Sequence, residues 1–488
     1  TKMDRDPSCS SKLRSSLSFR GTNMLMLIDP RRTAIQADTI LIACFAQGRS
    51  WQMRMHGMTG RPDESFQIEL VRAREILDSR GNPTLEVDIV CKGGAKGRAD
   101  VPSGRSRGSH EAYELRDGGS RYAGRGVLTA VKNVNEIIGP KLKGTDVRRQ
   151  REIDRTMVEL DGTADKSRLG GNSIVGISLA AVRAAANAEG LPLYRYVGDS
   201  GVYRLPVPMI IFINGGKLGA TDLDFQEFNA MPIGARSFSE AIQMSVEVYF
   251  RLGEALAKKS KYALNVGDEG AYSPPGMRDP ADAFEAVLTA IEDLGYQGEF
   301  VLALDAASTH LYKNKIGRYE LMGKEFSRER LMDLYEDLAK AFPLKSIEDP
   351  FHEDDVEGFA EITKSLTDVQ IVGDDFFVTN LGRIKMAKEA GAANAVLWKI
   401  NQVGTLTEAM DVVQYSKMNG YTIVASERSG QTEDSWLGDL AVAIGAGQLK
   451  NGAPCRGERT AQFNQLLRIE EELGSSARYA GRDYRQHV

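Results

Sequence analysis

Paired cysteines are missing from this chain. Its four, Cys9, Cys44, Cys91 and Cys455, stand at no spacing that suits a disulfide framework or a zinc site, and they fit a reducing cytoplasm. Long apolar runs are missing too, since none approaches the ~20 residues that span a bilayer. Nor is there an excess of positive charge. Lys and Arg number 62 against 67 Asp and Glu, and a net charge of −5 leaves no basic footprint for nucleic acid. What is present is ordinary for a soluble globular protein: 42% apolar and 26% charged residues, in a chain of 488 that has room for two or three domains.

Residues 1–66 lack a structural period. Their longest apolar run, Thr39-Ile40-Leu41-Ile42-Ala43-Cys44-Phe45-Ala46, is short. Arg31-Arg32 ahead of it resembles a twin-arginine signal, but Asp38 interrupts the apolar region such a signal needs. This segment is expected to be a disordered extension, or sequence upstream of a start at Met58.

Regular patterns begin after it. Leu85-Glu86-Val87-Asp88-Ile89-Val90 alternates as a half-buried strand does, with turn residues Gly81-Asn82-Pro83 before it. Helical patterns follow over 126–139 and 146–160, and Ile174–Ala186 reads as a helix of small residues suited to close packing. Residues 67–204 are thus expected to form an α+β domain. Leu205-Pro206-Val207-Pro208 marks a boundary, and over 205–488 strands and helices alternate. Expected strands are Met209–Ile213 and others ending near Val266, Asp305, Glu348, Asp374, Lys399 and Ser426. Amphipathic helices are expected at Ala281–Leu294, Arg328–Phe342, Leu381–Ala390 and Leu406–Met418. Such alternation implies a parallel sheet in an α/β fold.

Three acids and a lysine close the apolar runs of that region at a steady beat. Asp305 ends Phe300–Leu304, Glu348 follows Ile347, Asp374 follows Gly373, and Lys399 follows Trp398, at intervals of 43, 26 and 25 residues. A strand, a helix and two short loops take about 25 residues or more. The four side chains are therefore expected at the carboxyl ends of successive parallel strands, facing one mouth. That favours a closed barrel, where such positions carry chemistry. A single acid there could merely cap a helix. Three converging carboxylates repel unless a cation joins them, and hard oxygen ligands suit Mg²⁺ or Mn²⁺.

The longer motifs resemble the enolase (phosphopyruvate hydratase) family from about residue 67 to 486. They are Asp78-Ser79-Arg80-Gly81-Asn82-Pro83-Thr84, Asn265-Val266-Gly267-Asp268-Glu269-Gly270, Ser346-Ile347-Glu348-Asp349-Pro350-Phe351, Gly452-Ala453-Pro454-Cys455-Arg456 and Asn464–Gly474. The resemblance implies an α+β capping domain before a modified (β/α)8 barrel, two Mg²⁺ ions, and a homodimer or higher homo-oligomer. It implies that Asp305, Glu348 and Asp374 hold the first ion and Ser106 the second. By the same resemblance Lys399 is the base that removes the α-proton. Glu269 helps the β-hydroxyl leave as water, with Glu227 as its partner. Gln226 belongs to the pocket, Arg428 and Ser429 bind phosphate, and Lys450 faces the substrate carboxylate.

Two of the family's histidines are absent. Leu218 stands where the mobile-loop histidine belongs, and Glu427 replaces a histidine next to Arg428. Arg105 and Arg107 replace small or neutral residues on the loop that closes over substrate, and Lys217 replaces a serine on a second loop. Glu427, Arg105, Arg107 and Lys217 thus join the candidate substrate contacts. Three added cations suggest a more anionic substrate; alternatively they face solvent, or one of them partners Glu427. The expected function is elimination of water from a 2-phosphoglycerate-like acid, phosphorylated or phosphonylated. Its first form is the phosphonoformyl variant of the carboxyphosphonoenolpyruvate synthase branch. An ordinary glycolytic enolase and an inactive homologue with a binding or structural role are the alternatives. No nucleic-acid or membrane partner is expected.

Overall fold

The computed structural model describes residues 63–105, 108–198, 201–260 and 264–486, with four short strands ahead of them. Two compact units divide the chain, Thr1–Glu64 and Ser65–Val488. In the first, Ser18–Phe19 pairs with Thr22–Asn23 and Ala43–Ala46 with Arg49–Gln52, both antiparallel. Otherwise the extension expected over residues 1–66 lies almost wholly outside the described residues.

The second unit opens with an antiparallel sheet of β1 (Ile68–Leu77), β2 (Pro83–Cys91) and β3 (Lys96–Asp100). Alternate residues of β2 are buried, because one face of the sheet meets α2 (Gly171–Ala188), which follows α1 (Gln150–Asp161). The small residues of α2 allow very close approach. A Cβ on Gly97 of β3 would collide with the backbone of Ala180 and Ala184, so bulk is excluded on both sides of that contact.

Eight strands then close a barrel. They are β4 (Val207–Asn214), β5 (Glu227–Met231), β6 (Val301–Asp305), β7 (Leu344–Glu348), β8 (Gln370–Gly373), β9 (Ala395–Trp398), β10 (Thr422–Ser426) and β11 (Gln448–Lys450), and β11 pairs with β4. Helices cover the outside. The expected helices appear at Pro280–Asp293, Arg328–Ala341, Leu381–Ala390 and Leu406–Met418. Their starts are set by side chains that accept backbone N–H bonds, as Ser327 does from Arg330 and Thr405 from Glu408. Among the described residues no helix is long and apolar enough to cross a membrane.

The barrel departs from the expected parallel sheet in one strand. β5 runs antiparallel to both β4 and β6. It was also not foreseen as a strand, because its inward positions, Glu227 and Asn229, are polar. Of the strand expected to end near Val266, residues 261–263 lie outside the described residues, and the described part forms no strand. Leu264 and Val266 are exposed, and Val266 makes only an isolated bridge to Tyr272.

The two-residue period of the strands places the chemistry. Ala395 and Leu397 pack inside the barrel, while Val396 and Trp398 face the helices, so Lys399 continues the inward row. Asp305 follows Ala303 and Asp374 follows Val372 in the same way. Antiparallel β5 brings Glu227 to this end from its first residue, in register with Asn214 and Asp305.

Candidate active site

A narrow pocket of about 30 Å³ lies at the barrel mouth. Its walls include Asp305, Asp374, Lys399, Glu227, Glu269 and Gln226 from the strand ends and loops. Glu427, Arg428, Ser429, Lys450, Leu218 and Arg105 complete it. That volume holds about one water.

Lys450 stands among the acids. Its Nζ donates to Asp305 Oδ2 at 2.7 Å and to both oxygens of Glu348 at 2.9 Å, and lies 3.1 Å from Glu227 Oε2. The expected contact with a substrate carboxylate is thus taken by protein carboxylates here. Lys399 Nζ donates to Asp374 Oδ2 at 2.6 Å, and Gln402 Nε2 donates to Asp374 Oδ1 at 2.7 Å. Gln226 Nε2 donates to Asp305 Oδ2 at 3.1 Å, while its Oε1 is buried without a partner.

These contacts set the charge states. Burial raises Glu348 well above the usual carboxylate range, with Asp305 adding to it. Glu227 is pushed up to about 8 by burial and then by Asp305 and Glu269, against the opposing pull of Lys450. Burial would also raise Asp374, but the ammonium groups of Lys399 and Lys450 hold it below its ordinary value. Burial would lower Lys399, yet Asp374 holds it above its ordinary value.

Asp305, Glu348 and Asp374 fit a hard divalent cation. Oxygens of Asp305 and Glu348 already converge on one positive atom, the Lys450 ammonium, and half-buried Asp374 lies beside Lys399. All-oxygen donors suit Mg²⁺. A second acidic group, Asp349, Asp374 and Asp375, brings carboxylate oxygens within 4.8 Å of one another. Asp349 is engaged structurally, because it accepts the backbone N–H bonds of Asp374 and Asp375 at 2.9 and 2.8 Å.

The side chains expected to hold phosphate are engaged by the protein's own groups. Arg428 donates to both oxygens of Glu111, at 2.8 and 3.2 Å. Ser429 Oγ accepts from Arg80 at 3.2 Å and from the Arg105 backbone at 3.1 Å. Glu427 forms an ion pair with Arg459, which is fully buried and also donates to the carbonyls of Arg428 and Ser429 at 3.0 and 2.7 Å. None of the three added cations partners Glu427 among the described contacts. Arg105 pairs with Asp268. Lys217 does not line the pocket, and its Nζ lies 3.1 Å from His310 Nδ1. Ser106 and Arg107 lie outside the described residues.

Sequence reasoning missed Arg459, Glu111, Gln402 and His310. Each acts through a contact between distant segments, and none stands at a strand end that would single it out.

Two family models match the chain: the enolase N-terminal domain over residues 68–197 and the enolase C-terminal TIM barrel domain over residues 202–488. A curated protein named enolase from Methanocaldococcus jannaschii is 54% identical over 424 residues, which is 87% of this chain and 99% of that one. The enolase of Pyrococcus furiosus is 54% identical over 428 residues, with the same coverage of both chains. The enolase of Methanococcus maripaludis strain S2 is 49% identical over 424 residues, again with that coverage.

Proposed function

The chain belongs to the enolase family, a family of Mg²⁺-dependent hydro-lyases, and on that premise we propose that it dehydrates 2-phosphoglycerate to phosphoenolpyruvate. The observation that carries this choice of substrate is the internal balance of charge at the phosphate end. Glu427 is matched by Arg459 and Arg105 by Asp268, so two of the departures from the family pattern cancel within the protein. The phosphonoformyl reading needs surplus cations there and loses support with each pair. The relatives, all named enolase, point the same way.

Each side chain then has a task. Lys399 removes the α-proton, which requires its amine to be neutral. It is held protonated while the Asp374 charge faces it. Mg²⁺ on Asp305, Glu348 and Asp374 would neutralise that charge and stabilise, as a Lewis acid, the dianion left by the α-proton. A second ion at Ser106 belongs to the same reading. Glu269 gives a proton to the leaving β-hydroxyl, which departs as water. Glu227, whose proton is retained up to about pH 8, stands in the same pocket as its partner. Arg428 and Ser429 hold the phosphate, with Arg428 shared between it and Glu111. Lys450 turns from the acids toward the substrate carboxylate, and Gln226 lines the same wall.

An inactive role fits poorly with so many buried charges. Burying ions costs several kcal/mol each unless they are well paired, and a scaffold has no need of them. A homo-oligomer in the cytoplasm completes the proposal. Its test is Mg²⁺-dependent exchange of the 2-phosphoglycerate α-proton with solvent. Exchange is expected in the parent and lost in Lys399→Ala with the fold intact. Exchange near the parent rate in that variant would remove Lys399 from the base role.

A further inference from the structure

The chain as a whole is acidic, with a net charge of −5, yet one cleft on it is positive. It has a volume of about 470 Å³ and is lined by Arg80, Arg105, Arg116 and Arg125 against two acids, Glu114 and Asp268. Asp78, buried beneath the cleft, lies 3.3 Å from Arg80, so three of the four arginines have an acid of their own and the positive charge in excess is that of Arg125. The volume falls in the range of about 300–1,000 Å³ typical of small-molecule sites.

The four guanidinium groups are committed to different degrees. Arg116 is fixed by the chain itself: it donates to the carbonyls of Pro83 and Arg125 and pairs with Glu114. Arg80 pairs with Asp78 at 3.3 Å and donates to Ser103 Oγ at 2.9 Å and Ser429 Oγ at 3.2 Å. These two form a preset floor. Arg125 is exposed, and its described side-chain bond goes to a neutral group, Asn82 Oδ1, at 2.7 Å. Arg105 pairs with Asp268 at a partly exposed position. Arg125 thus faces open volume with no acid against it among the described residues, and planar forked donors match phosphate and carboxylate oxygens.

Arg105 also joins this cleft to the catalytic pocket, since its side chain lines both. Its partner Asp268 immediately precedes Glu269. The arginine that the motif comparison places on the substrate-closing loop therefore also serves a neighbouring cavity.

We propose that this cleft is a second, non-catalytic binding site for a small phosphorylated carboxylic acid. The phosphate takes the free fork of Arg125 and draws Arg105 from Asp268, while Arg80 and Arg116 fix the floor. Release of Asp268 gives the occupant a direct route to the segment that carries Glu269. The inference rests on the proposed reaction only for its choice of probe.

The test uses the full chain with Lys399→Ala, loaded with Mg²⁺, so that 2-phosphoglycerate binds without turnover. Calorimetric titration is expected to show two events. Arg428→Gln should weaken one. Arg125→Glu should weaken the other by about tenfold or more, and Arg125→Gln by less in the same direction. Arg125→Glu in the otherwise unaltered enzyme should leave turnover at low substrate unchanged, which also shows that the variant folds. Inorganic phosphate should compete with the Arg125-dependent event. A single event of unit stoichiometry, insensitive to Arg125→Glu, overturns the proposal and leaves the proposed reaction standing. Competition by glycerate but not by inorganic phosphate contradicts the phosphate assignment. Loss of the Arg428-dependent event alone counts against the reaction and not against the cleft.

Discussion

Glu427 and Arg459 form an ion pair closed off from solvent, with side chains 3% and 0% exposed. The glutamate stands where the resembled motif has a histidine. Its charge is met by an arginine that also grips the backbone of the next two residues, Arg428 and Ser429. Arg459→Met should therefore do more than remove packing. It leaves a buried carboxylate unpaired, and a loss of about 3–5 kcal/mol is expected. Glu427→Gln in the same chain should recover part of it. Denaturant unfolding of the two single variants and the double variant checks this. Additive losses would show that the two side chains do not act as a pair.

Lys450 holds Glu227, Asp305 and Glu348 together. Lys450→Met should destabilise the Mg²⁺-free protein by about 3–5 kcal/mol, because one cation leaves three buried acids. Mg²⁺ should then raise Tm more in the variant than in the parent, since a bound ion stabilises the folded state more the more tightly it binds. Equal Mg²⁺ shifts in both proteins would contradict the placement of the ion on these acids.

How far the sequence carried is clear from particular residues. Asp305, Glu348, Asp374 and Lys399 were legible because a strand's two-residue period and a recurring strand-helix spacing both act locally. Glu227 was known only by resemblance. Its strand has polar inward positions and runs against its neighbours, so neither its apolar pattern nor its direction betrays it. Arg459 was invisible for a different reason. An arginine in the first turn of a helix reads as a surface residue, and burial of its charge depends on Glu427, 32 residues away in the chain. Arg105 was read as facing substrate, because a loop motif fixes the position of a side chain but not its direction. Its pairing with Asp268 needed the fold.

Asp100 on β3 and Asp434 beyond β10 meet where the sheet joins the barrel, with the Asp100 backbone N–H donating to Asp434 at 3.0 Å. Burial, then the charge of Asp434, pushes Asp100 up to about 6 from an ordinary 3.8. The folded chain holds this proton more tightly than the unfolded chain. Its contribution is therefore fully present below pH 4 and is lost as pH rises through 6. Asp100→Asn should raise stability at pH 7, by at most about 2–3 kcal/mol, and have little effect near pH 4. Unfolding curves at the two pH values decide it. A variant less stable than the parent at pH 7 would show that the ionised carboxylate is favourable where it stands.

The substrate is tested most directly by kcat/KM of the unaltered enzyme for 2-phosphoglycerate and for its phosphonoformyl analogue, measured side by side with Mg²⁺. The paired state of Glu427 and Arg105 leads to efficient turnover of 2-phosphoglycerate and little or no use of the analogue. Preference for the analogue, reduced by neutralising Arg105 or Arg107, would contradict that assignment and restore a role for the added cations in reading an extra carboxylate.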